Sequence, residues 1–261
     1  MQTTVRIVNL SATTVSAVFE AYRNDGTATR LFELFPVERE GTRTTFEVPA
    51  LSAVEAFTLG DIPAFNGWAR LTVPASARLE VSAEVAVING EVGPHPICQR
   101  PSNEILATAR IDAVTAGNYG SSFAVHRPHR QTAVALVNPS PDRKATVRLS
   151  LLDLAGNLVA SGARELEPLG RVSETLGQIL DAPPPDLMSV LWMQSDEPAS
   201  MATIHVLFPD GKFASAPVSV ESTACGDALT PARNPLTGEC VVFRDTCIPV
   251  GWERAEDCPP S

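Results

Sequence analysis

The sequence predicts an all-β protein: two tandem β-sandwiches of immunoglobulin-like pattern, followed by a short, disulfide-stapled C-terminal segment. Three observations predict it. One stretch occurs twice: Val5 to Gly26, VRIVNLSATTVSAVFEAYRNDG, and Val134 to Asn157, VALVNPSPDRKATVRLSLLDLAGN. Each is a short apolar run ending in Val-Asn (Val8-Asn9, Val137-Asn138), a polar turn, and a longer alternating run that closes on a glycine turn. Self-similarity over so long a stretch marks a duplicated unit. Second, the clearest segments alternate apolar and polar residues with a period of two, the signature of a strand with one buried and one wet face. Third, the 261 residues are 44% hydrophobic and only 19% charged, with 22 prolines, a composition suited to short strands joined by many turns and sufficient for two cores.

Taken in order, Val15, Ala17, Phe19 and Ala21 share one face of a strand, and Asn24-Asp25-Gly26 turns it. Leu31 to Val37 returns, Gly41 turns again, and Thr44 to Val48 continues with Phe46 and Val48 facing alike. In Pro49 to Ile62, Leu51, Val54 and Phe57 recur at helical spacing, which predicts a short helical turn. Pro168 to Leu180, with Val172, Leu176 and Ile179, is its counterpart in the second copy. A proline-broken strand pair follows each: Trp68 to Val73 with Arg78 to Asn89, and Met188 to Gln194 with Ser200 to Phe208. The second member of the first pair is the clearest strand, with Leu79, Val81, Ala83, Val85 and Val87 on one side. Gly90 to Asn103 reads as a long loop, and Ile105 to Val114 as a closing strand matched by Phe213 to Val220. Thr115 to Ser122, TAGNYGSS, reads as a Gly-rich connection. The expected domains are therefore residues 1–116, 117–221 and a cysteine-rich tail, 222–261, with seven or so strands in each of the first two.

A net charge of −10 excludes a broad phosphate-binding surface, because nucleic-acid binding rests on clustered Lys and Arg. The one basic patch, His126-Arg127-Pro128-His129-Arg130, is short and is read as a solvated loop. No run approaches the ~18 apolar residues of a membrane-spanning helix. The N-terminus enters a strand with no charged or apolar leader, which by itself means cytoplasm. The five cysteines point instead to an oxidising compartment. The expectation that reconciles them is a secreted, periplasmic or cell-surface protein whose start is a processed or truncated one.

Four cysteines, Cys225, Cys240, Cys247 and Cys258, lie in the tail with fourteen, six and ten residues between them. No Cys-x-x-Cys pair and no nearby His support a zinc site, so two disulfides are expected, in any of three connectivities. Each would contribute roughly 2–4 kcal/mol. Within the tail, Asn234 to Gly238 reads as a turn, Val241 to Phe243 as a strand and Gly251-Trp252 as an apolar anchor. A stapled cap on the second domain is favoured over a recognition knob. Cys98 remains open: a partner for a tail cysteine, an interchain link or a buried thiol. As a nucleophile it would need a base, and its neighbour His95 lies in a Pro-flanked loop.

No motif for a serine hydrolase, zinc protease, phosphate loop or dinucleotide site is present. His205 sits between Ile204 and Val206 on an expected strand. His126 and His129, three apart, would reach a metal only with a carboxylate such as Asp142. The scattered acids lack calcium-loop spacing. No enzyme activity, cofactor or metal is therefore expected.

Val137-Asn138-Pro139, the alternating run Val147 to Asn157, Leu166 to Gly170, Leu176 to Leu180 and Ser195 to Pro198 together resemble tandem immunoglobulin-like β-sandwich repeats of secreted and cell-surface bacterial proteins of no assigned activity. The resemblance covers the second copy well and the first loosely, where Leu10 replaces the proline and Pro74-Ala75-Ser76 stands for the last motif. It implies fold and extracellular setting and no catalytic chemistry. The expected function is a structural or adhesive display module whose partner is an unspecified protein or glycan. The alternative is a carbohydrate-binding accessory module, for which the supply of two Tyr and three Trp is thin.

Overall fold

The computed structural model describes residues 2–29, 34–35, 42–58, 67–89, 104–180, 187–207, 213–216, 218–221, 228–243, 248 and 250–258. The protein is all-β, and among these residues a single helical turn interrupts the strands. The chain divides into two compact units, Met1–Ala113 with Gly211–Ser215, and Val114–Asp210 with Ala216–Ser261.

The first unit contains β1 (Gln2–Asn9), β2 (Val15–Arg23), β3 (Leu34–Phe35), β4 (Arg43–Val48), β5 (Ala53–Thr58), β6 (Gly67–Thr72), β7 (Leu79–Asn89) and β8 (Glu104–Asp112). They form a five-stranded sheet in the order β3-β5-β1-β7-β8 and a three-stranded sheet, β4-β2-β6. Both sheets feed one apolar core, with Ile7 and Ala56 from the first and Ala17, Phe19, Phe46 and Val48 from the second. Phe19 meets Phe46 edge to face at 6.0 Å. The alternation read in β2 and β4 thus selects the buried face, each large side chain contributing about 1.5–3 kcal/mol.

One expectation fails here. Ala53–Thr58 is a strand, paired with β1 from Thr4↔Phe57 to Val8↔Ala53, and not a helical turn. The three-residue spacing of Leu51, Val54 and Phe57 misleads because the core contacts are Val54 and Ala56, two apart. Leu51 belongs to the preceding turn, at φ 51°.

The second unit opens with β9 (Gly117–Arg127) and β10 (Arg130–Val137), then β11 (Ala145–Leu152), β12 (Leu158–Leu166), β13 (Arg171–Thr175), the helical turn α1 (Leu176–Ile179) and β14 (Leu187–Leu207). Next in the chain come Phe213–Ala216 (β15), whose first three residues are counted with the first unit, and Val218–Glu221 (β16) of the second. The helical turn expected in Pro168 to Leu180 is therefore confined to its last residues, after a strand. Leu136, Leu149, Leu151, Leu166, Leu176, Leu191, Met193 and Met201 fill the core.

Two further readings change. Gly117–Ser122 is no connection but the start of β9, which pairs with β14 and with β16. Gly120 lies over the core methionines: a Cβ there would meet Met193 Cε at 3.2 Å and Met201 Cε at 3.5 Å. The strand pair expected around Pro198 is one continuous strand. Its first part pairs with β11 up to Val147↔Ser195, and its second pairs with β10 from Val137↔Ser200. The segment read as Ser195 to Pro198 is the change of partner, fixed by Asp196 Oδ1, which accepts the Thr146 N–H at 2.7 Å, and by Asn118 Nδ2, which donates to Ser195 O at 3.0 Å.

α1 lies so close over β12 that a Cβ on Gly162 would fall on the carbonyl oxygen of Ile179 and 3.1 Å from Leu180 Cα. Gly162→Ala is expected to lower stability by about 1–3 kcal/mol, since backbone must move to admit the methyl. Urea unfolding at pH 7.5 reads it.

Candidate functional site

The duplicated Val-Asn signal marks the best-defined polar feature of the protein. At the end of β1, Asn9 is buried; its Nδ2 donates to the carbonyls of Thr13, Val48 and Pro49 at 2.8, 2.9 and 3.0 Å, and its Oδ1 accepts the Ser11 N–H at 2.8 Å. At the end of β10, Asn138 does the same: Nδ2 donates to Arg143, Leu166 and Glu167 carbonyls at 2.7, 3.3 and 3.1 Å, and Oδ1 accepts the Ser140 N–H at 3.0 Å. The main chain repeats as well. Asn9 N–H donates to Ser52 O and Leu51 N–H to Ser11 O; Asn138 N–H donates to Gly170 O and Leu169 N–H to Ser140 O. Leu51 and Leu169, at φ 51° and 57°, occupy the same left-handed position. A short amide side chain is the group that can both donate to loop carbonyls and accept from the turn. Each asparagine therefore fastens the end of one strand to the two chain segments that pass it.

A third buried asparagine fastens the tail. Asn234 Oδ1 accepts the N–H groups of Leu236 and Thr237 at 2.9 and 3.3 Å, while Nδ2 donates to Ser161 Oγ on β12 at 2.9 Å. The turn read at Asn234 to Gly238 is present, with Gly238 at φ 74°. The tail adds β17 (Thr230–Arg233), β18 (Cys240–Phe243) and β19 (Glu253–Arg254), in the order β18-β17-β19. Its inner face, Ala232, Phe243 and Trp252, packs on Leu152 and Leu158 of the β11–β12 hairpin, with Trp192 beside them. Arg148 of β11 lies over the Phe243 ring at 5.2 Å. Cys240 and Cys258 are joined by a disulfide. Cys98, Cys225 and Cys247 lie outside the described residues, as does His95.

The three described histidines, His126, His129 and His205, gather at one end of the second unit. His126 closes β9 opposite Gln131 and Leu187, and His129 is in the exposed turn. The basic patch is thus a hairpin rather than an open loop. Asp142 lies beyond the far end of β10, roughly 25 Å along the strand. Among the described residues no group of three or more His, Cys, Asp or Glu is placed to hold a metal ion.

His205 is a residue whose partner the sequence does not announce. It is 5% exposed, and its Nδ1 lies 2.8 Å from Thr132 Oγ1, which also accepts the Val125 N–H at 2.8 Å. Burial, and secondarily the charge of Arg130, hold the imidazole below its ordinary value. Hydroxyl and imidazole resemble a nucleophile and its base in distance, with Thr132 fully buried. Beside them Ser122 Oγ and Thr203 Oγ1 share a hydrogen bond at 2.6 Å. Such groups tie strands together.

Aromatic side chains are dispersed. Trp252 is 9% exposed and meets Phe243 edge to face at 5.6 Å. In the first unit Trp68 stacks on buried Tyr22 at 4.7 Å, and Arg70 Nη2 donates to both Glu20 Oε2 and Tyr22 Oη at 2.9 Å. Phe123, at 37%, is the one aromatic side chain among the large exposed apolar residues described.

Comparison with protein-family models, with curated proteins and with solved structures returned no match.

Proposed function

We propose that the protein is a non-enzymatic structural or adhesive display module of the cell envelope or extracellular space, built of two tandem immunoglobulin-like sandwiches whose tail is a stapled cap on the second. The observation that carries this reading is the asparagine node, repeated with the same main-chain and side-chain partners in both units. A chain that commits its buried polar groups to holding strand ends in place is organised for a durable shape. The Cys240–Cys258 disulfide supports an oxidising compartment.

The test is fractionation of the native source, with peptide mapping of the protein before and after reduction. Recovery from the secreted or envelope fraction, with Cys240 and Cys258 peptides linked until reduced, is the expected result. Recovery from the cytoplasm with both thiols free overturns the extracellular reading. The carbohydrate-binding alternative would rest on Trp68, one face of which is already taken by Tyr22. Binding on a glycan array that Trp68→Ala abolishes would establish it in place of the display reading.

A further inference from the structure

The β9–β10 hairpin concentrates positive charge in an acidic protein. Arg127 and Arg130 stand opposite each other across its tip, His126 faces Gln131, and His129 is in the turn. Directly below, Thr132 of β10 is opposite His205 of β14. One hydroxyl joins three strands at this level: Thr132 Oγ1 accepts the Val125 N–H of β9 and meets Nδ1 of His205. With the main-chain proton already accepted, the hydroxyl's own proton finds its acceptor in an unprotonated Nδ1.

A proton added to Nδ1 reverses that arrangement. The hydroxyl must turn its hydrogen away, in a place where Thr132 is fully buried and His205 nearly so. The new imidazolium also meets like charge from Arg130, two residues before Thr132 on β10; Arg127 of β9 is opposite Arg130, His129 is in the turn, and His126, opposite Gln131, belongs to the other face of the sheet. Glu174 of β13 is opposite Val134, two residues further along β10, and Glu221 of β16 is opposite Tyr119, towards the other end of β9. Asp181, Asp186, Asp210 and Lys212 lie outside the described residues. We propose that protonation of His205 unlatches the β9–β10 hairpin from β14, making the second unit acid-sensitive at this end.

The direction of the effect follows from linkage. Burial and Arg130 place the folded-state pKa of His205 below the ordinary 6.5. The stability it contributes is complete above that ordinary value and is lost as pH falls through the folded-state value.

Hydrogen exchange of the full chain, corrected for intrinsic rates, together with an NMR titration of the histidine ring protons, tests the latch. Between pH 7.5 and 5 the Val125 amide is expected to lose protection at least tenfold, while amides of the β11–β14 ladder change less. His205 is expected to titrate below the ordinary histidine value. His205→Gln, neutral throughout, should show a flat Val125 response, and Thr132→Ser should keep the wild-type pH dependence. Unchanged Val125 protection across the His205 titration overturns the proposal. So does an equal acid response in His205→Gln.

Discussion

Replacing Asn138 with alanine is expected to destabilise the second unit by about 4 kcal/mol. The substitution removes the donor shared by the carbonyls of Arg143, Leu166 and Glu167 and the acceptor of the Ser140 N–H, at a side chain with no exposed surface. Each buried polar group left without a partner costs about 1–3 kcal/mol, and partial access of water to the turn keeps the sum below the total for all four. Urea unfolding at 25 °C, monitored by tryptophan fluorescence, reads the loss as a fall in midpoint with little change in slope. Asn138→Asp, which retains the acceptor and loses the donors, should recover only part of it. A change below about 1 kcal/mol in Asn138→Ala would mean that the loop carbonyls find water instead. Asn9→Ala should act in the same sense on the first unit.

Trp252→Ala is expected to cost about 3–5 kcal/mol, the range for removing a large buried aromatic side chain. Its ring is the edge-to-face partner of Phe243 and, with Ala232, covers Leu152 and Leu158. The preceding Gly251, at φ 86°, would place a Cβ 2.9 Å from Leu158 Cβ, so the chain reaches this contact only as glycine. The loss should be local. Limited proteolysis is expected to cut within residues 228–258 while the β9–β14 segment stays resistant, and ends produced by a cut between Cys240 and Cys258 should stay joined until reduction. Resistance equal to the parent's would show that Asn234 and the disulfide suffice to hold the tail.

Much of this architecture was legible. The alternation in β2, β4 and β7, the turns at Gly26 and Gly238, and the repeated Val-Asn signal all follow from local patterning. Three segments were not, for different reasons. In β5 the apolar residues that set the apparent helical period do not all face the core, and Leu51 is drawn off into a left-handed turn. In β9 the glycines suggest a linker, but the segment is held by its pairing with β14 and β16, which lie far away in sequence and leave no local trace. In β14 a proline that ordinarily ends a strand sits where the strand changes partners. The role of Asn138 in holding a distant loop, and that of Thr132 in meeting His205, depend on strand register and could not be read from spacing.

The unbroken course of β14 has a mechanical consequence. In the first unit the corresponding stretch is two strands, β6 and β7, with the turn at 73–78 between them. In the second, 21 consecutive residues run as one strand from the β11 ladder into the β10 ladder, with an irregularity in the pairing to β9 between Gln194 and Ala199. A pull along the chain that meets the first unit finds slack to take up in that turn. The same pull on β14 passes through one strand to two ladders, that with β11 and that with β10, so one segment of chain shares its load between both.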